Sequence, residues 1–242
     1  MQLLDECLTQ GDAGADLVLE IRHSELPPSP QPLRWWLRDP DARPPVDLRA
    51  LDWVPEGARV LDVGCCTGRE LELLARRGVR GHGIDVLPAA VALAAENGVP
   101  CSLDDVHSFR PREPFDVVTL LGGNGGIMGT LDALEDGLRR LAGWLAPGGF
   151  ILFSSFDRRR LPTVLHDISA YPPHESRSPG ELLMRLRLDD RTGDWFPWLM
   201  VTTEELARGC ENTGLVMERT TFWSGSPIYS TVIRPARSRT AR

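Results

Sequence analysis

Residues 59–70 have the sequence Arg-Val-Leu-Asp-Val-Gly-Cys-Cys-Thr-Gly-Arg-Glu, and this stretch decides the fold of the chain. Its first half is an apolar run that stops at Gly64, as expected for a parallel strand buried on both faces. After Gly68 the apolar residues follow a helical spacing as far as Gly78. The stretch therefore predicts a strand, a glycine turn and a helix. Such a turn lets a ligand approach the backbone, and it directs the free N–H groups of the helix towards that ligand.

The spacing of the glycines separates two kinds of nucleotide site. A dinucleotide-binding turn has the pattern Gly-x-Gly-x-x-Gly and holds a pyrophosphate. In this chain Cys66 takes the place of the middle glycine, and Asp62 lies two residues before Gly64. A carboxylate at that position repels a pyrophosphate but attracts an ammonium group. The pattern favours a cationic ligand without phosphates, and an ordinary tight turn is the alternative.

The turn closely resembles the glycine loop of class I S-adenosylmethionine-dependent methyltransferases, whose usual form is Leu-Asp-x-Gly-x-Gly-Thr-Gly. The resemblance implies an α/β, Rossmann-like fold with S-adenosylmethionine as cofactor. Cys66 departs from the usual form, and its side chain favours a negative φ. The residues of the turn to which the resemblance assigns cofactor contacts are Asp62, Gly64, Cys65, Cys66 and Gly68.

An acid at the end of the second predicted strand, residues 79–86, suits a ribose. Asp85 follows Asp62 by 23 residues, close to the gap of about 20 at which an acid meets ribose hydroxyls in such sites. The resemblance implies cofactor contacts for Asp85 and Val86, with the Asp85 carboxylate accepting from both hydroxyls. A surface acid that merely follows a strand is the alternative.

A second acidic position follows the third predicted strand, residues 99–103. In the family an acid here takes the adenine amino group, and the backbone N–H of the next residue serves a ring nitrogen. Asp105 with Val106 matches this pattern better than Asp104 does. Capping of a helix by either acid is the alternative.

The glycine-rich residues 122–129 follow the fourth predicted strand, residues 115–121, where open parallel sheets place their ligands. The resemblance implies that Leu121, Gly122 and Asn124 line the methionine side of the cofactor and the exit of the methyl group. A phosphate-binding nest is the other functional interpretation, but no lysine or arginine lies nearby in sequence. The Asn-Pro-Pro-Tyr motif of nucleic-acid amino-methylating members is absent.

Strands and helices alternate through the core, which predicts a mostly parallel sheet with helices on both faces. We expect a seven-stranded sheet in a domain of residues 51–235. Its remaining predicted parts are helices at 88–97, 131–145 and from Thr202 or Thr203 through Cys210, with Glu205 as capping partner, and strands at 150–153, 215–222 and 228–233. Residues 158–200 are predicted to form an insertion with a β-hairpin on the substrate side.

Residues 1–50 precede this domain as an N-terminal extension. Two apolar patches, at residues 3–8 and 17–21, predict one or two helices, and proline-rich segments follow. Trp35 and Trp36 either cap the cofactor or acceptor pocket or plug the edge of the core. The tail, residues 236–242, is expected to be disordered.

Methyl transfer from a sulfonium needs mainly the positioning of acceptor and methyl group, and a base is required only for an un-ionised hydroxyl or a similar acid. The catalytic candidates are His166, His174 and Asp157, with His166 preferred, and His107 and Tyr171 are further candidates. A solvated or structural role is the alternative for each. Trp195, Phe196 and Trp198 either wall an apolar acceptor or seal the hairpin onto the core.

Composition limits the partners and the compartment. The net charge of −7 and the pI near 5.3 argue against a nucleic acid as substrate. Five cysteines without paired spacing predict no metal site and reduced thiols in a cytoplasmic protein, and vicinal Cys65 and Cys66 make a poor disulfide framework. The sequence contains no apolar run of 18 residues, so we expect no membrane span, and the acidic N-terminus does not resemble a signal peptide.

These features together predict a methyltransferase for a small-molecule substrate in bacterial specialised metabolism, that is, natural product biosynthesis. The absence of lysine among 27 basic residues is typical of a GC-rich bacterial genome and supports that setting only by association. Two alternatives remain. One is non-methylating chemistry with the same cofactor, as in a cyclase or decarboxylase, and the other is a non-catalytic partner protein on this fold. Monomer and homodimer are both left open.

Overall fold

The computed structural model describes residues 1–24, 27–38, 48–161, 178–223 and 225–236. The strands within these ranges are β1 (Asp16–Ile21), β2 (Ser29–Pro32), β3 (Arg59–Val63), β4 (Arg80–Asp85), β5 (Cys101–Leu103), β6 (Phe115–Leu120), β7 (Leu145–Phe156), β8 (Glu181–Leu188), β9 (Arg191–Thr192), β10 (Phe196–Leu199), β11 (Leu215–Phe222) and β12 (Ile228–Pro235). The α-helices are α1 (Gln2–Gln10), α2 (Arg69–Ala75), α3 (Pro88–Glu96), α4 (Leu131–Gly143) and α5 (Thr203–Asn212).

A seven-stranded sheet with the order β11-β12-β7-β6-β3-β4-β5 forms the centre of the molecule. Strands β7, β6, β3, β4 and β5 are parallel, and β12 runs antiparallel between β7 and β11. The predicted Rossmann-like, mostly parallel sheet is confirmed. The strand order reverses between β3 and β6, and ligands of such sheets bind at this switch point, outside the carboxyl ends of the strands.

Helices cover both faces of this sheet because its inner strands are apolar on both sides. Leu61 of β3 packs in one core cluster with Leu138 of α4 and Leu206 of α5. The neighbouring Val60 packs in a second cluster with Leu74 of α2. The alternation of side chains along β3 therefore feeds two cores, one on each face of the sheet.

A second, antiparallel sheet has the order β10-β8-β1-β2, with β9 paired to β8. The prediction of a helix at residues 17–21 is wrong: this segment forms strand β1. Leu19 of β1 lies opposite Leu186 of β8, so a partner about 170 residues away determines its conformation. The insertion does form the predicted β-hairpin, and it shares one sheet with the N-terminal extension. The boundary between extension and domain stays a prediction.

Helix α1 closes this second sheet onto the core. Leu4, Leu8 and Leu17 pack in one buried cluster with Leu186. The Asp5 carboxylate accepts a 2.7 Å hydrogen bond from the backbone N–H of Ala89, near the beginning of α3. Free N–H groups at a helix start favour such an acidic partner. The extension is thereby fixed beside the end of β4.

Helix α5 begins as the sequence predicted. The Thr202 hydroxyl accepts from the backbone N–H of Glu205, and the Glu205 carboxylate accepts from the backbone N–H of Thr202. This is a complete capping box. In the part of the chain that the structure describes, no helix is long and apolar enough to cross a bilayer. Most of the predicted disordered tail, residues 237–242, lies outside the described residues.

Candidate functional site

The glycine turn joins β3 to α2 and is tied to the end of β4. The backbone N–H groups of Gly64 and Cys65 both donate to the Ile84 carbonyl, at 2.9 and 3.2 Å. Cys66 has a φ of +47°, so the expected negative φ is wrong. This left-handed conformation costs a side-chain-bearing residue about 1 to 2 kcal/mol. The 2.8 Å bond from the Cys66 N–H to the Asp85 carboxylate helps to hold it.

Protein side chains occupy the space beside the glycines of the turn. A Cβ on Gly64 would lie 2.7 Å from Asn124 Nδ2 and 2.9 Å from Ile127 Cδ1. A Cβ on Gly68 would lie 2.7 Å from Val99 Cγ1. Both glycines also have positive φ values. Glycine is required at these two positions because other parts of the protein pack against them. The sequence had instead suggested that a ligand approaches the backbone there.

Two cavities lie at the switch point, one on each side of the turn. The first has a volume of about 310 Å³ and the second about 270 Å³. The residues that line both cavities are Trp36, Gly64, Cys66 and Asn124. The turn and the side chain of Asn124 therefore separate two compartments, a division suited to a ligand with two unlike ends.

The structure brings almost all of the predicted cofactor residues to these cavities. The first is lined by Asp62, Gly64, Cys65, Cys66, Leu121, Gly122 and Asn124. The second is lined by Gly64, Cys66, Asp85, Val86, Asp105, Val106 and Asn124. Gly68 lines neither and instead marks the beginning of α2. Contact of each residue with the cofactor stays a prediction.

Asp62 places a buried carboxylate at the first cavity. Its residue is 3% exposed, and Thr119 Oγ1 donates a 2.6 Å hydrogen bond to it. Burial raises the pKa of the Asp62 carboxyl well above its usual value, and the neighbouring Glu70 raises it further. Such a carboxylate lacks charged partners of its own and gains most from a cationic ligand.

Asp85 joins the turn to the start of α3. Its two carboxylate oxygens accept from the backbone N–H groups of Cys66 at 2.8 Å and Leu87 at 3.0 Å. Burial raises the pKa of Asp85, although these bonds oppose the shift. A carboxylate oxygen has two lone-pair sites, so each oxygen keeps an acceptor site for a ligand hydroxyl.

The acids after β5 divide between two roles. Asp105 accepts a 2.7 Å bond from the backbone N–H of His107 and so stabilises the turn that follows, whereas the alternative role was the capping of a helix. Asp104 also lines the second cavity. Nearby, Val86 is 51% exposed and gives this compartment an apolar wall suited to a flat ring.

Asn124 bridges the carboxyl ends of β3 and β6. Its side-chain Nδ2 donates to the carbonyl oxygens of Val63 at 3.1 Å and Gly64 at 2.9 Å. Both amide hydrogens are thus used within the protein, and the side-chain oxygen remains as an acceptor. The sequence identified Asn124 as a ligand contact but gave no sign of this bridging role.

Aromatic rings explain the glycines of the loop after β6. A Cβ on Gly123 would lie 2.5 Å from the Phe156 ring, one on Gly125 2.3 Å from the Phe153 ring, and one on Gly126 2.1 Å from the indole of Trp198. Close approach of aromatic side chains requires a bare backbone at these positions. The sequence instead suggested close approach of a cofactor.

The paired tryptophans are anchored directly to the glycine turn. Thr67 Oγ1 donates a 2.8 Å hydrogen bond to the carbonyl oxygen of Trp36, and the Arg69 guanidinium donates to that of Trp35. Both rings line the first cavity. We call residues 33–38 the tryptophan cap. Sequence reasoning missed Thr67 and Arg69 as anchors, because their acceptors are backbone carbonyls about 30 positions away.

Asp157 has structural partners. It is 3% exposed and accepts from both the N–H and the hydroxyl of Thr203, as well as from Arg159. Burial opposes ionisation, but these bonds hold the pKa of Asp157 below its usual value. Asp157 lines neither cavity. A base with a depressed pKa and engaged oxygens takes up protons poorly, so this geometry disfavours Asp157 as a base, and its catalytic role stays a prediction.

The other catalytic candidates differ in whether the structure describes them. His166, His174 and Tyr171 lie outside the described residues, so these assignments stay predictions. His107 lines the second cavity. Within the described ranges, no three His, Cys, Asp or Glu side chains form a group that could hold a metal ion.

The hairpin aromatics reach the second cavity. Phe196 and Trp198 line it and meet edge to face, with ring centroids 6.2 Å apart. Trp198 also packs on Gly126, so it both walls the cavity and seals the hairpin onto the core. Trp195 is 36% exposed and lies under the Arg185 guanidinium.

Comparison with known proteins agrees with this geometry. The family described as "Methyltransferase domain" matches residues 36–220 of the chain. The chain belongs to this methyltransferase family. The resemblance carried by the glycine turn is thus confirmed, and S-adenosylmethionine is the cofactor of this fold.

Individual relatives differ in what they methylate. A dTDP-4-amino-2,3,4,6-tetradeoxy-D-glucose N,N-dimethyltransferase of Saccharopolyspora spinosa is 36% identical over 40% of this chain and 39% of its own. A ubiquinone biosynthesis O-methyltransferase of Aeromonas salmonicida is 31% identical over 85% of this chain and 84% of its own. Several of the curated relatives are matched over only 39% to 64% of their length.

A solved structure shares the whole architecture. The S-adenosylmethionine-dependent methyltransferase of Bacteroides fragilis, crystallised with S-adenosylhomocysteine, has a TM-score of 0.76 and 22% identity to this chain. The similarity covers 96% of this chain and 92% of that one. At this identity the likeness shows the fold and leaves the substrate to be argued from the site.

Proposed function

We propose that the protein transfers the methyl group of S-adenosylmethionine to a small-molecule acceptor. The observation that carries this proposal is the pair of cavities on either side of the glycine turn, each with a buried carboxylate, Asp62 in one and Asp85 in the other. A cationic cofactor with an ammonium group at one end and ribose hydroxyls towards the other fits this arrangement of charge.

Each compartment has residues of the right chemistry to hold one end of the cofactor. Asp62 would accept from the ammonium group, and Asp85 would accept from the ribose hydroxyls. Asp105 and the backbone N–H of Val106 would take the edge of the adenine. When bound, the cofactor supplies an electrophilic methyl group on a positively charged sulfur. The protein has to orient an acceptor towards it and exclude water.

Part of the lining of the first cavity is suited to an uncharged acceptor. Six of its residues have side chains that do not ionise, namely Ser29, Pro30, Gln31, Trp35, Phe156 and Ile228. The charged side chains of the same lining are Asp62, Arg69 and Glu70. A volume of about 310 Å³ lies at the lower end of the range for small-molecule sites. The tryptophan cap would close this space over the acceptor.

The relatives support, but do not decide, the setting. One acts on an amino sugar nucleotide and others belong to ubiquinone biosynthesis, so both nitrogen and oxygen acceptors occur among proteins similar to this one. We propose an acceptor from bacterial specialised metabolism and a cytoplasmic location. The prediction that no nucleic acid is bound, and the choice between monomer and homodimer, stay open to experiment.

Turnover with a labelled cofactor tests this proposal. The protein is incubated with S-adenosylmethionine labelled in its methyl group and with panels of amino sugars and phenols, and the products are analysed by mass spectrometry. We expect labelled acceptor and S-adenosylhomocysteine in equal amounts. Cofactor consumption without label transfer would instead indicate non-methylating chemistry. Tight binding of S-adenosylhomocysteine without any turnover would indicate a non-catalytic partner protein.

A further inference from the structure

Two cysteines from separate strands meet beside the glycine turn. The Sγ atoms of Cys65, in the turn, and Cys101, the first residue of β5, are 3.7 Å apart. Strand β4 runs between their backbones, and its Gly83 leaves the passage open. A Cβ on Gly83 would lie 2.4 Å from Cys65 Sγ and 3.0 Å from Cys101 Sγ. The absence of a side chain at this position is what lets the two thiols meet.

We propose that Cys65 and Cys101 form a reversible disulfide when the protein meets a peroxide, and that this bond switches off cofactor binding. The vicinal pair Cys65 and Cys66, which the sequence draws attention to, is not the reactive pair. Cys66 packs against the cluster formed around α1 and the start of α3, whereas Cys65 and Cys101 pack with the cluster around α2.

The contacts of the pair give its two sulfurs different roles. The Cys65 thiol donates to Cys101 Sγ, and this bond lowers the pKa of Cys101 and raises that of Cys65. Cys101 is only partly buried, whereas Cys65 is 3% exposed. A thiolate that solvent can reach reacts first with an oxidant. Cys101 is therefore the site of attack, and Cys65 is the resolving thiol.

The chemistry balances with hydrogen peroxide as the named oxidant. The Cys101 thiolate attacks one peroxide oxygen, the O–O bond breaks, and the departing hydroxide takes up a proton to become water. Cys101 is then a sulfenic acid. Cys65 sulfur attacks the Cys101 sulfur, the S–O bond breaks, and the hydroxide leaves as water with the proton of the Cys65 thiol. In total, two thiols and one hydrogen peroxide give one disulfide and two waters.

Closure of this bond has to move the turn. A disulfide bond is about 2.05 Å long, whereas the sulfurs are 3.7 Å apart. Cys65 is held through its backbone, since its N–H donates to the Ile84 carbonyl and its own carbonyl accepts from Gly68. Its neighbours Gly64 and Cys66 line both cavities. A shift of Cys65 therefore displaces the floor shared by the two cofactor compartments.

Peptide mapping and calorimetry on the full-length protein test the proposal. The protein is treated with hydrogen peroxide, digested with trypsin and analysed by mass spectrometry, while titration with S-adenosylhomocysteine measures affinity before and after treatment. We expect a disulfide between the tryptic peptides 60–69 and 81–112, assigned to Cys65 by its fragment ions. We expect affinity to fall by about tenfold or more and to return with dithiothreitol.

Cys101→Ser is the decisive variant because Cys101 lines neither cavity. Its affinity should match that of the wild type before treatment and should resist peroxide. Cys210→Ser, which removes a buried thiol in α5, should remain as sensitive as the wild type. Three outcomes would overturn the proposal: a vicinal disulfide between residues 65 and 66, a cross-linked protein with unchanged affinity, or a Cys101→Ser variant that loses affinity under peroxide as the wild type does.

Discussion

Thr119 Oγ1 donates a 2.6 Å hydrogen bond to the buried carboxylate of Asp62. This neutral hydroxyl solvates the carboxylate without neutralising it, so the ionised form remains expensive in the free protein. The site thus holds a carboxyl group whose pKa is raised by burial. A cost of this kind in the free protein is offset when a cationic ligand binds.

Asp62→Asn should therefore make the protein more stable and lower its affinity for the cofactor. A carboxyl whose pKa is raised by folding loses its proton at a higher pH in the folded chain than in the unfolded chain. Stability then falls as pH rises from the unfolded pKa, about 4, through the higher folded pKa. We expect the variant to lose this dependence and to be more stable than the wild type at pH 7. Denaturant unfolding at several pH values, combined with cofactor titration, measures both effects.

Thr119→Val and Thr119→Ser provide the matched controls for this prediction. Valine removes the hydrogen-bond donor to Asp62, so the pKa of Asp62 rises further. Cofactor binding should then reach its full affinity only at a higher pH than in the wild type. Serine keeps the hydroxyl and should behave as the wild type. Equal affinity of all three proteins across the pH range would show that the ionisation of Asp62 does not govern binding.

Asp85→Asn should weaken cofactor binding by about tenfold or more. The amide replaces one acceptor oxygen by a donor, which can no longer accept from a ribose hydroxyl or from the N–H of Cys66 or Leu87. Asp5→Asn is a close control, because Asp5 also accepts from a backbone N–H near the start of α3 but lines neither cavity. Calorimetry should show weak binding for Asp85→Asn alone. Similar losses in both variants would assign Asp85 to the capping of α3 only.

Thr67→Val should loosen the tryptophan cap. The variant loses the 2.8 Å bond to the Trp36 carbonyl, and one such bond contributes about 1 kcal/mol. We expect KM for the cofactor or acceptor to rise by roughly fivefold, with a red shift of tryptophan fluorescence. Thr67→Ser keeps the bond and should preserve both values. A normal emission spectrum in the valine variant would show that the hydroxyl does not hold the cap in place.

Gly126→Ala should displace Trp198. The added Cβ would lie 2.1 Å from the indole, which is too rigid to yield without moving as a whole. We expect a loss of about 1 to 3 kcal/mol in stability and a change in the second cavity that Trp198 lines. Gly143→Ala serves as the control, since nothing lies within 4 Å of the new Cβ at that position in α4. That variant should unfold at the same or a higher denaturant concentration than the wild type.

Arg158→Met should destabilise the protein at neutral pH. Arg158 and Glu205 form a bidentate ion pair with two hydrogen bonds of 2.6 Å, and their side chains are 9% and 11% exposed. Breaking such a pair leaves a buried charge and costs about 3 kcal/mol. Arg139→Met, which removes an exposed partner of Glu135, should change the free energy of unfolding far less.

The same ion pair predicts an acid dependence. Burial alone would raise the pKa of Glu205, but its bonds with Arg158 and Thr202 outweigh burial and lower it. The stabilisation is therefore present above the unfolded pKa, about 4.3, and is lost as pH falls through the lower folded pKa. Arg158→Met should flatten this part of the stability profile. An unchanged acid transition in the variant would contradict the prediction.

The core of the fold was predictable because local signals and long-range packing agree there. The run that ends at Gly64 has apolar residues on both faces, as a central parallel strand does, and Thr202 with Glu205 specifies a helix start from four residues. The second sheet was missed because residues 17–21 fit a helix or a strand equally well. Their conformation depends on β8, which no local pattern reveals.

The site was predictable where chemistry follows strand ends, and less so where backbone geometry decides. Asp62 and Asp85 could be located because they lie at the carboxyl ends of the neighbouring strands β3 and β4, where open parallel sheets place their ligands. The positive φ of Cys66 is accompanied by a backbone hydrogen bond to Asp85, and the Thr67 hydroxyl donates to a backbone carbonyl. Every residue type carries the same backbone groups, so a segment that is contacted through its main chain needs no particular residue. Such contacts therefore could not be predicted from the sequence.

The sheet shared by β1 and β8 has a consequence for engineering and for evolution. Its halves come from opposite ends of the chain, so exchange of the hairpin alone with a related enzyme would leave β1 beside foreign side chains. A new acceptor preference should therefore be transplantable only when the N-terminal strands and the hairpin are moved as one unit. Natural divergence of this sheet should likewise proceed through paired substitutions in the N-terminal strands and in the hairpin.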